Sequence, residues 1–211
     1  MSVHDAVLER ARRAKEASAV LRSASTDTKN KALQRMAELL RAKHAKITRA
    51  NAIDMENGQT KGLSSAMLDR LRLDEKRIED MAIACEEIAS LEDPIGHVLD
   101  EWERPNGMKI HKAGNTVLLR GGSEAINSNV ALAEILQDAC EQVGLPASCV
   151  EIMNITDREA VREMSRCDQF LSLIIPRGGH DLIRAVTENA TVPTLKHDRG
   201  MTQIYVDETC D

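Results

Sequence analysis

The sequence predicts an α/β protein in which a layer of helices precedes a parallel sheet with helices on both of its faces. Three observations carry that expectation. From Val3 to about Leu91 apolar residues recur at three- and four-residue spacing with no alternating β-branched run, the pattern of amphipathic helices. From Asn115 onward short apolar runs alternate with helical patterns, and strands separated by helices pair in parallel. Between the two regions, Ile95 to Glu103 and Met108 to Lys112 read as short strands around Asn106-Gly107, a dipeptide that favours a hairpin turn.

Taken in order, Ser25, Thr26 or Thr28 is placed to cap the helix carrying Leu33, Met36 and Leu40, because a hydroxyl there accepts from a free backbone N–H. Gly58 and Gly62 are expected to break the pattern. Ser64 opens a short helix through Met67 and Leu71, and Asp74 opens another that ends before Pro94. The second half then reads strand TVLLR, helix SEAINSNVALAEILQDACEQV, strand VEIMN, helix TDREAVREMSR, strand FLSLIIP, helix GHDLIRAVTENA, and strands near TVPTL and QIYVD.

Composition removes several functions. With 42% hydrophobic and 29% charged residues the chain fits a soluble globular protein. No apolar run approaches the ~18–20 residues that cross a bilayer, and the first residues lack the apolar core of a signal peptide, so no membrane association and a cytoplasmic location are expected. A net charge of -6 and a single Trp, Tyr and Phe argue against a nucleic-acid partner. Five scattered cysteines without CxxC spacing, and histidines without HxxxH or HExxH spacing, suggest a reducing compartment and no metal.

Two strand-to-helix turns have the residues for chemistry. In the first, strand Leu118-Leu119 runs into Arg120, Gly121, Gly122, Ser123 and Glu124. Ligands of open α/β sheets bind beyond strand carboxyl ends, and paired glycines allow close approach to the backbone. Arg120 there faces a phosphate or ribose, or is a solvated arginine at a tight turn. In the second, Ile174-Ile175-Pro176 runs into Arg177, Gly178, Gly179 and His180, and the free N–H groups of a helix start suit a pyrophosphate. Neither turn is GxGxxG or GxxxxGK[ST]. His180 alone reads as a polar surface residue, and Lys196-His197-Asp198-Arg199-Gly200 as a solvated loop.

The stretches SSAMLDRLRL from Ser64, LEDPIGHVLDEWERPNGMKIHK from Leu91, AGNTVLLRGGSEAINSN from Ala113, GLPASCVEIM from Gly144, IIPRGG from Ile174 and TVPTLKHDRG from Thr191 together resemble gamma-glutamyl phosphate reductase (glutamate-5-semialdehyde dehydrogenase), of the aldehyde dehydrogenase superfamily. The resemblance covers nearly the whole chain. It implies an incomplete Rossmann-like, aldehyde dehydrogenase-like sheet. Residues 1–93 form a helical region, 94–112 a β-hairpin and 113–211 a partial nucleotide-binding α/β unit, the first and last making one NADPH-binding domain.

The resemblance also implies NADPH-dependent reduction of L-glutamyl 5-phosphate to L-glutamate 5-semialdehyde in proline biosynthesis, through a cysteine thiolate and a thioester. Arg120 would meet the adenosine ribose and its 2'-phosphate, Ser123 and Glu124 would border that pocket, and Gly178 and Gly179 would meet the pyrophosphate.

Two departures from the family pattern bear on activity. A hydrophobic strand, an Arg-Pro-Asn loop and a helix are missing between Lys112 and Ala113, which removes the central strand and predicts exposed apolar strand edges. No residue occupies the family's catalytic cysteine position, and Cys210 is not that nucleophile by position. The chain by itself is therefore expected to be inactive. A non-catalytic nucleotide-binding or interaction module is the alternative, and a helical partner-binding protein using residues 1–93 a third. Whether the chain forms a homo-oligomer stays open, because the parent family's interfaces involve elements absent here.

Overall fold

The computed structural model of the protein describes residues 2–93 and 115–196. The expected hairpin over 94–112, the last strand near Gln203 and Cys210 lie outside the described residues.

Five helices build the first layer: α1 (Val3–Ser23), α2 (Thr26–Ala42), α3 (His44–Thr60), α4 (Ser65–Leu71) and α5 (Glu75–Ser90). Their starts follow the sequence signals. Ser2 and Asp5 exchange hydrogen bonds in a capping box at α1. Of the three hydroxyls available at α2, Ser25 is the cap, accepting from the Thr28 N–H at 3.1 Å. Ser64 and Asp74 cap α4 and α5 in the same way.

One expectation needs correction. α3 runs through Gly58, and the break comes only at Gly62, whose φ of 73° lies in the left-handed region that suits glycine. Gly58 is helical because it is a contact point: a Cβ there would stand 3.0 Å from Leu63 and 3.2 Å from Leu68, so the absent side chain lets α4 pack close.

The second half alternates strand and helix as expected: β1 (Val117–Leu119), α6 (Ile126–Gln142), β2 (Val150–Ile152), α7 (Arg158–Ser165) and α8 (His180–Asn189). β1 and β2 pair in parallel with Val117 opposite Val150. Ile174 forms a separate parallel bridge with Thr194, so the strands expected at FLSLIIP and TVPTL are reduced to one bridge. Among the described residues no ladder joins the two pairs. Among the described residues the sheet is therefore split between the β1–β2 pair and the Ile174–Thr194 bridge.

Helices flank the β1–β2 pair, and the period-two alternation of a strand sorts β2 between them. Glu151 and Met153 face α1, through Arg13 and Val7 respectively. Val150 packs with Cys140 of α6, and Gln137 of α6 donates to the Val150 carbonyl at 2.8 Å. A single core joins the helical layer to α6, with Ala37, Leu40, Ile47, Ile78 and Ala82 packed against Ile135 and Ala139.

α6 does not start as the sequence suggests. Ser123 to Ala125 form one 3-10 turn and no side chain of that turn caps the helix. Asp54, buried on α3, supplies the cap instead: it accepts from the N–H groups of Asn127 and Ser128 and from their side chains, between 2.6 and 3.2 Å. A carboxylate is favoured there by the partial positive charge of the helix start.

Candidate functional site

A cleft of about 640 Å³ opens along β1, between it and the segment carrying Ile174. Its floor is apolar, from Leu118, Leu171 and Val186 among others. Its polar side chains are Lys15, Ser18 and Arg22 of α1, Asn115, Thr116, Arg120, Ser165, Ser172 and Arg177. Among the described residues four cations border the cleft, and no Asp or Glu lines it.

The two turns picked out in the sequence meet here. Arg120 follows β1, Arg177 follows Ile174, and both line the same cleft. Arg120 is half-buried. Its Nη2 donates to the Thr156 carbonyl at 2.9 Å, while its Nε is buried with no partner. A buried guanidinium N–H without an acceptor costs free energy, and an anion entering the cleft would satisfy it. Thr116 fixes the start of β1 by donating to the Ala14 carbonyl at 2.8 Å.

The other candidates lie beside the cleft and do not line it. Gly121 is closed off by Asn129, whose Nδ2 stands 2.0 Å from where a Cβ would be, and Gly122 by the carboxylate of Glu124 at 2.1 Å. The crowding at these glycines therefore comes from the chain's own side chains. Ser123 sits in the 3-10 turn. Gly179 is the N-cap of α8 and has no side chain to occupy its amides, and Gly178 packs against Leu182, which itself borders the cleft. A helix start without a side-chain cap beside Arg177 is an anion-binding combination.

Lys15 and Arg22 were not legible as site residues, since nothing in a helical arginine or lysine announces a strand lying across it. Burial pushes Cys85, Cys149 and Cys167 up, and Cys140 up to about 11, so all four pack as thiols. No group of His, Cys, Asp and Glu among the described residues could hold a metal ion. No helix there is long and apolar enough to cross a membrane.

One charged group on the floor side works against stability. Glu151 is 3% exposed, and Arg13 Nη2 lies 2.9 Å from its Oε1 in a geometry that makes no hydrogen bond. Burial raises its carboxyl above the ordinary value, outweighing the lowering by Arg13 and Arg10. The folded state thus holds this proton more tightly than an unfolded chain does. The cost is absent below the ordinary carboxylate range and grows as pH rises through the raised folded value. Glu151→Gln is expected to raise Tm at pH 7 by about 2–4 °C, the shift ~1 kcal/mol makes in a chain of this size. Melts repeated down to pH 4 should show the gain shrinking; a constant gain would assign it to packing.

The arrangement of helices and strands matches solved aldehyde dehydrogenases. The acetylating aldehyde dehydrogenase of Geobacillus thermoglucosidasius superposes with a TM-score of 0.60 over 91% of this chain and 45% of its own, at 15% identity. The fold is aldehyde dehydrogenase-like.

Sequence narrows this further. Gamma-glutamyl phosphate reductase of Thermodesulfovibrio yellowstonii is 43% identical over 100% of this chain and 57% of its own length. The crystal structure of gamma-glutamyl phosphate reductase from Thermotoga maritima superposes with a TM-score of 0.83 at 40% identity, over 90% of this chain and 52% of that one. Over its whole length the chain is similar to the gamma-glutamyl phosphate reductases, and it spans about half the length of the relatives it matches. No protein-family model matches it. The alignment with the Thermodesulfovibrio protein runs to 239 positions against 211 residues, which leaves about 28 positions of that relative without a counterpart.

Proposed function

We propose that this chain is the cofactor-binding part of an NADPH-dependent gamma-glutamyl phosphate reductase, and that these 211 residues alone do not turn over substrate. The observation that carries the reading is the meeting of Arg120 and Arg177 at one acid-free cleft, with a buried Arg120 N–H still lacking an acceptor. The residues present fit a dinucleotide. Arg120 would pair with the 2'-phosphate, and Arg177 with Gly178 and Gly179 at the start of α8 would meet the pyrophosphate. Gly121, Gly122, Ser123 and Glu124 would shape the turn that holds Arg120. NADPH, when bound, supplies the hydride for an acyl carbonyl; L-glutamyl 5-phosphate as the acyl donor rests on the names of the relatives.

Titration calorimetry with NADPH and NADH tests the binding claim. Arg120→Ala is expected to weaken NADPH tenfold or more, since a charge-assisted pair contributes about 1.5–3 kcal/mol, and to change NADH much less. Equal losses for both would remove the 2'-phosphate assignment. The activity claim is tested by incubating the chain with glutamate 5-semialdehyde, phosphate and NADP. Formation of NADPH above background would overturn it.

The alternative, a nucleotide-binding module without catalysis of its own, predicts the same binding. It is favoured by the cleft, which no cysteine lines among the described residues. It separates from the first reading if a polypeptide carrying the family's catalytic thiol restores no turnover when added to this chain.

A further inference from the structure

Both long walls of the cleft are strand edges whose outer sides are already hydrogen-bonded. The Leu119 carbonyl accepts from Met153 at 2.7 Å, on the β2 side. Backbone groups alternate between the two edges of a strand, so the N–H and C=O of Leu118 point the other way, into the cleft. On the far wall, Ile174 donates to Pro193 at 2.9 Å and accepts from Leu195 at 2.8 Å. Leu173 and Ile175 therefore turn their backbone groups away from that neighbour, again into the cleft, which residues 193–195 do not line. Two ladders of backbone donors and acceptors face each other across a space holding no third strand among the described residues.

The side chains at these edges are as incomplete as the backbone. Val117 is 38% exposed, Leu119 45%, Leu173 50% and Ile175 66%, an apolar group too large for a surface with nothing to cover it.

We propose that this cleft is a receptor for one extended, apolar polypeptide segment from another polypeptide, which lies between β1 and the Ile174 segment and joins the two halves into a single five-stranded sheet. The walls run six and eight residues, 115–120 and 170–177. At ~3.3 Å per residue the occupant is a segment of about six residues. The floor selects β-branched and other apolar side chains, and Lys15 and Arg22 of α1 on its border select acidic ends. Among its described residues a second copy of this chain offers no lone strand, because β1 is paired with β2 and Ile174 is bridged to Thr194. The site takes a lone strand. The inference does not depend on the cofactor reading, since it uses the edges along the cleft rather than the turns at its end.

The test uses the full 211-residue chain and a fluorescein-labelled peptide of sequence Asp-Val-Ile-Val-Ile-Val-Asp, followed by anisotropy and by backbone hydrogen exchange. Saturable one-to-one binding is expected, with exchange at Leu118, Leu173 and Ile175 slowed at least tenfold. The same peptide with proline at its centre should bind at least tenfold more weakly, because proline has no N–H to give an edge. Ile175→Pro removes one donor from the free edge at an exposed position and should weaken the parent peptide at least tenfold. Leu119→Lys, which sets a charge on the apolar rim, should do the same, and circular dichroism identifies a variant that has not folded. The proposal is overturned by absent binding at millimolar peptide, by equal binding of the proline peptide, or by edge amides already protected in the free protein. Concentration-dependent self-association abolished by Ile175→Pro would overturn it too, in favour of a second copy.

Discussion

Replacing Asp54 by alanine is expected to lower the stability of this protein by on the order of 4 kcal/mol, from the loss of charge-assisted bonds and the stranding of buried donors. The carboxylate is 1% exposed and accepts four hydrogen bonds from Asn127 and Ser128. Ser128 is itself buried and also accepts from Asn51, which bonds the Leu71 carbonyl and the Leu73 N–H at 2.8 Å each. Removing Asp54 leaves the Ser128 N–H and hydroxyl without water to replace it. Against a total of about 5–15 kcal/mol for a folded domain, such a loss is large. In a melt it corresponds to a fall of roughly 10 °C. Asp54→Asn, which keeps one acceptor, should fall between the two. If Asp54→Ala melts within 2 °C of the parent, α6 does not depend on this cap.

The second large effect is expected at Ile135, where alanine should cost about 2–5 kcal/mol and valine about 0.5–1.5. Ile135 is fully buried on α6, in one cluster with Leu40 and Ile47 of the helical layer and with Ile78 of α5. The space it fills is bounded by α2, α3 and α5, of which α2 and α5 pack closely on one another, so it closes poorly when the side chain is shortened. Denaturant unfolding followed by circular dichroism measures the change. Ile47→Ala, in the same cluster, should combine with it less than additively, since neighbours share one cavity. An additive pair would mean that the helical layer and α6 unfold separately.

How much of this could be read in advance differs by residue type. The caps Ser2, Ser25, Ser64 and Asp74 act on amides two or three residues away, and local signals of that kind are written in the sequence. Ser123 looked the same and is not a cap, because a carboxylate from a helix more than sixty residues earlier holds the position more strongly. A sign of this was present. Ile47, Asn51, Asp54 and Gly58 recur at four-, three- and four-residue steps, and all four are buried on one face of α3. Two polar residues at core-facing positions announce a buried network, although not its partner.

For the candidate site, the two glycine-bearing turns were legible because a strand, a basic residue and a helix start follow one another along the chain. That Arg120 and Arg177 border one cleft, with Lys15 and Arg22 beside them, depends on how α1 and the split sheet pack.

The sequence by itself determined the order of the described helices and of β1 and β2, most helix starts and the family resemblance, because these rest on local spacing and on residues matched one by one. Only the tertiary structure decided that the sheet is divided, that Asp54 starts α6, and that Glu151 is buried beside Arg13. Those depend on groups far apart in the chain. Their pairing is set by which buried donors and acceptors find each other when water is excluded.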